Sequence, residues 1–213
     1  MIVSHEHRLI FLKTRKTAGT SVEIALSRIC GPDDTITRLT DEDEELRRSR
    51  GGRGPQHFES PPLPEKAFNH MPARGVRLVV GPDVWRDYFR FTIERNPWDL
   101  VVSQYYWRYR NEEAPPFDDF VRRPVVVKLA DKNARIYRLR GEIAVDRVLR
   151  FESLASDLAE LWAERGLPGS PELPHAKSHS RPARSYRELY TDETRDLVGN
   201  LFAGVVRDLG YEF

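Results

Sequence analysis

The 213-residue chain has one cysteine, Cys30, so it can form no disulfide within itself. A disulfide-stapled secreted scaffold is excluded, and a reducing cytoplasm is the expected compartment. Neither sign of charge is in excess: 34 Lys and Arg stand against 33 Asp and Glu, a net charge of +1. A general nucleic-acid or membrane-surface binder carries a basic surplus, so neither is expected, and any anion site must be built locally. No apolar run approaches the ~18 residues needed to cross a bilayer. The opening Met-Ile-Val-Ser-His-Glu-His-Arg puts charge where a signal peptide needs an apolar stretch. What is present, 39% hydrophobic and 31% charged residues, suits a globular fold with its own core. The length favours one domain over residues 1–213 rather than two.

Arg8-Leu-Ile-Phe-Leu-Lys13 is a short apolar run that reads as a buried strand. The polar turn Thr14–Gly19 follows. Thr20-Ser-Val-Glu23 then has capping-box spacing, and Val22, Ala25, Leu26 and Ile29 share a helical face. Residues 31–64 turn polar and rich in Gly, Pro and charge, which reads as a loop-rich insertion or lid. Within it, 41–50 suits a short exposed helix and 50–55 a loop. Residues 75–80 fit strand or helix equally.

Phe89, Phe91 and Ile93 alternate, predicting a strand over 88–94, and Pro97 suits the first turn of a helix. Trp98, Val101, Val102, Tyr105, Tyr106 and Tyr109 form an apolar stripe better suited to packing than to stacking sugars, with Trp107 off the stripe. A short helix over 117–123, a third strand over 148–151, a helix over 153–165 and a last helix from 191 complete the pattern. Strands alternating with helices imply an α/β fold, a single P-loop-like domain with a central parallel sheet flanked by helices. Ligands of such sheets lie beyond the carboxyl ends of the strands.

Two segments carry chemistry. Lys13–Ser21 joins a strand to a helix N-terminus, where backbone amides and the helix dipole favour an anion. Ala18 and Gly19 allow close backbone approach, Lys16 adds charge, and Thr17, Thr20 and Ser21 add hydroxyls. The Walker pattern does not fit, because the lysine precedes the glycine. In Arg95-Asn-Pro-Trp-Asp-Leu-Val-Val-Ser103, a guanidinium ends a strand and a hydroxyl lies about two turns into the next helix. The pair can pinch one phosphate, or Arg95 can simply pair with Asp99.

Together, K-T-x-K-T-A-G-T-S and F-x-I-x-R-N-P-W-D-x-V-V-S-x-Y resemble the sulfotransferases that use 3′-phosphoadenosine 5′-phosphosulfate (PAPS), in particular their carbohydrate-type branch. The resemblance extends to Asn69-His-Met-Pro-Ala73, Arg150-Phe-Glu-Ser-Leu154, Leu173-Pro-His-Ala-Lys-Ser178 and Gly210-Tyr-Glu-Phe213, leaving out only about residues 33–64. It implies that Lys16, Thr17, Ala18, Gly19, Thr20 and Ser21 hold the 5′-phosphosulfate and that Arg95 and Ser103 hold the 3′-phosphate. The implied reaction moves a sulfuryl group to a hydroxyl, that of a sugar on the branch resemblance, with Lys16 catalytic and no metal needed. Arg15 and Phe151 depart from it, standing where many relatives have proline and tyrosine.

The acceptor hydroxyl needs a base. His70 is the first choice, and His57 and Glu59 are the runners-up, with Lys177 and Ser178 as further acceptor contacts. His5, His7, His175 and His179 read as solvated or substrate-lining rather than as metal ligands. Two other readings stay open: a P-loop small-molecule kinase or NTPase, and a non-catalytic nucleotide-binding module.

Overall fold

In the computed structural model, which describes residues 1–59, 66–174 and 185–213, the period-two apolar segments pair into one five-stranded sheet. The strands in chain order are Ile2–Ser4 (β1), Leu9–Phe11 (β2), Thr35–Ile36 (β3), Phe89–Glu94 (β4), Arg138–Leu139 (β5), Glu142–Ile143 (β6) and Arg147–Arg150 (β7). β5 and β6 form a separate hairpin, and the sheet runs β3-β1-β2-β4-β7. β2, β4 and β7 are parallel, with Leu9 opposite Phe89 and Ile93 opposite Leu149. β1 joins β2, and β3 joins β1, in antiparallel fashion. β1 and β3 have three and two residues, too few for periodicity to reveal them.

The helices are Gly19–Ser27 (α1), Asp41–Ser49 (α2), Ala73–Asp87 (α3), Pro97–Arg108 (α4), Phe117–Val121 (α5), Pro124–Tyr137 (α6), Leu154–Glu164 (α7), Asp192–Leu201 (α8) and Ala203–Leu209 (α9). The ambiguous segment 75–80 is helical. α3 is two helical pieces meeting at Gly81, whose φ of 79° only glycine adopts readily, followed by Pro82.

The chain divides into two compact units, Met1–Glu94 with Arg135–Ala176, and Arg95–Ala134 with Lys177–Phe213. The first holds the sheet. One sheet face, carrying Leu9, Phe11, Phe91, Ile93 and Leu149, packs on Val22 and Leu26 of α1 and on Leu158, Leu161 and Trp162 of α7. Strand alternation sends Ile10, with the following Leu12, to the other face, against Val76, Val79 and Trp85 of α3 and Tyr137 of α6. In the second unit, α4 packs with α5, α8 and α9 through Leu100, Val101, Phe120, Val198, Phe202 and Val205. Tyr105 has Tyr109, Phe117 and Phe120 around it at centroid distances of 5.6, 5.3 and 5.2 Å, so the aromatic stripe is core. Trp107 remains 39% exposed.

The described part of the segment 31–64 carries one short strand and one helix. Thr35–Ile36 extends the sheet, with Ile36 bridging to Gln56. The helix expected to be exposed, α2, starts at a Thr40 cap and packs on α1. Asp41, Glu42, Glu45 and Arg48 are exposed as expected, whereas Asp43, Glu44 and Arg47 are buried. Arg47, 0% exposed, donates through Nη1 to both oxygens of Glu44 at 2.9 and 3.1 Å. Its Nε and Nη2 have no hydrogen-bond partner among the described residues. Covered by α2 as well as by the sheet, α1 is buried at every position except Thr20, not on one face alone.

A buried pair is destabilising to break and easily replaced by apolar bulk. Arg47→Ala is expected to lose about 3–5 kcal/mol in urea denaturation, because Glu44 would stay buried without its cation. Arg47→Met, which fills the space, is expected to lose markedly less than the alanine variant.

Candidate anion-binding site

The loop from Lys13 to Ala18 leaves the carboxyl end of β2, beside the parallel β4. Its root is fixed to that neighbour: the Leu12 amide donates to the Phe91 carbonyl at 2.9 Å, and the Thr92 hydroxyl donates to the Leu12 carbonyl at 2.6 Å. The Thr14 hydroxyl donates to the carbonyl of Ile93 and lies 2.8 Å from the Thr17 hydroxyl. Thr17 is 0% exposed, and its hydroxyl braces the loop from inside against Thr14.

Lys16 and Ala18 both have left-handed backbone, φ 64° and 59°. Neither is glycine, and each such residue costs roughly 1 kcal/mol that the surroundings must offset. Left-handed turns of this kind gather successive N–H groups into a concavity that suits anions. Ala18 is the N-cap of α1, and among the described residues no side chain caps that helix. The expected capping box is absent: Thr20 lies inside the first turn, and the Glu23 carboxylate goes to Lys13 instead. A helix start leaves its first amides without carbonyl partners within the helix, and here no side chain takes their place.

Lys13 explains the packing beneath the loop. Its Nζ lies 2.8 Å from Glu23 Oε2, with both side chains buried. A Cβ on Gly19 would meet Lys13 Cγ at 2.6 Å, so this glycine is set by space and not by φ. Ser21 turns its hydroxyl to the Pro174 carbonyl at 2.8 Å, tying the segment that ends the described part of 169–182 to the helix start. Lys177 and Ser178 lie outside the described residues, as do His175 and His179.

His70 belongs to the base of this loop. Its Nδ1 lies 3.0 Å from the Lys13 carbonyl, and its own φ is 61°. Burial, then the charges of Lys13 and Arg15, push its pKa down to about 3. Of the runners-up, exposed His57 donates from Nε2 to the Pro32 carbonyl at 2.9 Å, and exposed Glu59 pairs with Lys66. Among the described residues, neither makes a hydrogen bond or ion pair with the loop. His5 lies 2.9 Å from the Tyr88 hydroxyl, and His7 lies 3.0 Å from the Ile29 carbonyl. Among the described residues no cluster of three His, Cys, Asp or Glu could hold a metal. No described helix is long and apolar enough to cross a membrane.

In the second unit, Asn96 caps α4 by accepting from the amides of Trp98 and Asp99, and Pro97 fills the first position. Arg95, 8% exposed, bonds to Asp99 Oδ2 through Nε at 2.7 Å, which fixes the direction of its guanidinium. Ser103 is half-buried on α4.

The residues missed by the sequence reading are Lys13 and Glu23 as a pair. The available signal was a carboxylate between Val22 and Ile24 in a helix with apolar neighbours, a position that demands a buried cation.

No protein-family model matches the chain. It is 33% identical over 101 residues to an uncharacterized protein of Archaeoglobus fulgidus, a match covering 46% of this chain and 84% of that protein. The chain belongs to that protein's family. Two solved structures are similar in chain course. One is a retinol dehydratase in complex with androsterone and the inactive cofactor PAP, at TM-score 0.46 and 12% identity, covering 99% of this chain and 84% of that one. The other is a sulfotransferase of Alicyclobacillus acidocaldarius, at TM-score 0.44 and 16% identity, covering 97% and 96%.

Two outcomes follow from the loop's geometry. Gly19→Ala must displace a pinned lysine stem and is expected to lose about 1–3 kcal/mol in chemical denaturation. An unfolded histidine titrates near 6.5, well above folded His70 at about 3. The unfolded chain therefore takes up the proton first, so this contribution to stability is whole above about pH 6.5 and is lost as pH falls toward 3. His70→Asn should flatten that acid-side decline in urea midpoints, and an unchanged decline would contradict the assignment.

Proposed function

We propose that the chain is a PAPS-dependent sulfotransferase, one functional domain over 1–213, acting on a hydroxyl of a sugar or glycoconjugate. The observation that carries the proposal is the loop between β2 and α1. Two left-handed non-glycine residues lead into a helix start that no side chain caps, within a segment of the sulfotransferase pattern. That is a backbone anion cradle with a lysine in its wall.

In this reading, the amides from Lys16 to Ser21 and the Thr20 hydroxyl hold the 5′-phosphosulfate, while the hydroxyls of Thr17 and Ser21 keep the loop in shape. Arg95 and Ser103 hold the 3′-phosphate. The donor supplies a sulfuryl group activated by its phosphate, and the remaining work is positioning and charge stabilisation. Lys16 steadies the negative charge that grows on the bridging oxygen. His70 is the proposed base: its Nδ1–H is spent on the Lys13 carbonyl, which leaves Nε2 to take the acceptor's proton. Lys177 and Ser178 are proposed acceptor contacts. The scheme needs no metal ion.

Calorimetry with adenosine 3′,5′-bisphosphate, AMP and ATP tests the donor. The bisphosphate is expected to bind about tenfold or more tightly than AMP, since a charged grip on the second phosphate adds more than 1.4 kcal/mol. Equal affinities would overturn the proposal, and Mg²⁺-dependent preference for ATP would favour a kinase or NTPase. Lys16→Ala should abolish transfer with the thermal midpoint kept, whereas Arg95→Ala should chiefly raise the Kd for the bisphosphate.

A further inference from the structure

Residues four apart on a helix are neighbours on its surface, and α4 uses that spacing for polar groups. Arg95 Nη2 lies 2.7 Å from Asp99 Oδ2, and Ser103 and Trp107 continue the same row. Trp107 therefore stands one turn beyond Ser103, about 6 Å along the helix axis. Its aromatic neighbours pack: Tyr105, Tyr106 and Tyr109 lie against the core of the second unit, in which Trp107 has no part. The other three tryptophans, Trp85, Trp98 and Trp162, are buried, whereas Trp107 is 39% exposed.

An exposed ring alone needs no explanation, but Arg110 is held to this one. Its guanidinium carbon lies 5.1 Å from the Trp107 ring centroid, and Nη1 donates to the Trp107 carbonyl at 3.0 Å. These contacts fix the guanidinium beside the indole and leave Nε and Nη2, one edge of the fork, as further donors. The nearby arginines have other partners: Arg108 has Glu112, Arg122 has Glu193, and Arg123 has the Tyr109 hydroxyl. Among the described residues, Arg110 has no carboxylate partner.

An apolar ring flanked by a guanidinium edge matches a sugar that carries an acid group. The C–H face of a pyranose packs on an aromatic ring, and a carboxylate accepts two parallel hydrogen bonds from one edge of the fork. We propose that Trp107 and Arg110 form a recognition site for a uronate-bearing saccharide, which makes acidic sugars the acceptor class. Trp107 takes the sugar ring, and Arg110 takes its carboxylate through Nε and Nη2. A neutral sugar gains only the packing, and a carboxylate without a ring gains only the charge. With Ser103 read as part of the 3′-phosphate grip, donor and acceptor share one face of α4. The inference rests on the sugar-acceptor reading above.

Indole ¹H–¹⁵N spectra test it, with the Trp107 signal assigned by Trp107→Phe. The probes are a tetrasaccharide of alternating glucuronate and N-acetylglucosamine, and the same chain with its carboxylates reduced to hydroxymethyl groups. The acidic chain is expected to shift the Trp107 signal and to bind about threefold more tightly than the reduced one at low salt, a preference that high salt removes. Arg110→Gln is expected to erase that preference, and to raise the KM of the acidic chain in transfer assays by about the same factor. Its thermal midpoint and its Kd for adenosine 3′,5′-bisphosphate should stay put. If neither saccharide moves the Trp107 signal, or if the preference or the KM is unchanged in Arg110→Gln, the inference is overturned, and a protein that still binds the bisphosphate keeps its donor reading. If the acidic chain binds as expected and the bisphosphate does not bind, the donor reading falls and the saccharide site stands.

Discussion

Everything at the candidate site is referred to Lys13. Its ammonium meets Glu23 inside the protein, its stem fills the space where a Gly19 Cβ would lie, and its carbonyl receives the His70 ring. One residue just beyond β2 therefore sets the start of α1, the course of the loop and the attitude of the His70 ring. Burying such a pair wins little net stability, because desolvation offsets most of the attraction. Losing one partner is another matter, leaving a lone buried charge at a cost of about 3–5 kcal/mol. The pair is better understood as fixing geometry than as adding stability. Glu23 cannot both answer Lys13 and close a capping box, and it answers Lys13.

That choice opens the helix. A capped N-terminus would have its first amides satisfied by side chains, and a phosphate would have to displace them. In α1 the cap position is an alanine in left-handed conformation, with nothing to offer those amides. The strain at Lys16 and Ala18 points the same way, since non-glycine residues persist there only when neighbours hold them. The neighbours are identifiable: Thr14 and Thr17 inside the loop, and Ile93 and Phe91 of β4 at its root.

Much of this was legible in the sequence. Residues 8–13, 88–94 and 148–151 mark β2, β4 and β7, and the parallel pairing follows from strand–helix alternation. The turn from Thr14 to Gly19 between a strand and a helix was also legible, since polar and small residues interrupt two apolar segments there. What failed did so for definable reasons. β1 and β3 are too short to show a period, and their antiparallel pairing depends on contacts distant in sequence. The segment 33–59 looked like solvent-exposed loop because it is charged, yet Glu44 and Arg47 are buried against each other. Spacing alone suggested the capping box, and spacing does not see a buried lysine ten residues earlier. Composition counts charges without showing which of them cancel.

That last point bears on how a chain with a net charge of only +1 would hold an anion in the proposed function. Of the three cationic side chains at the loop, Lys13 is neutralised by Glu23 and contributes shape. In the proposed function the attraction for the donor falls chiefly to backbone amides and Lys16. Burial first, and then the nearby cations, hold the His70 pKa down, so the proposed base holds a proton badly. Attraction for an anionic donor and basicity of the ring thus oppose each other in the free protein. A site built from local charge on a nearly neutral chain meets this conflict wherever an anion grip and a base share one loop.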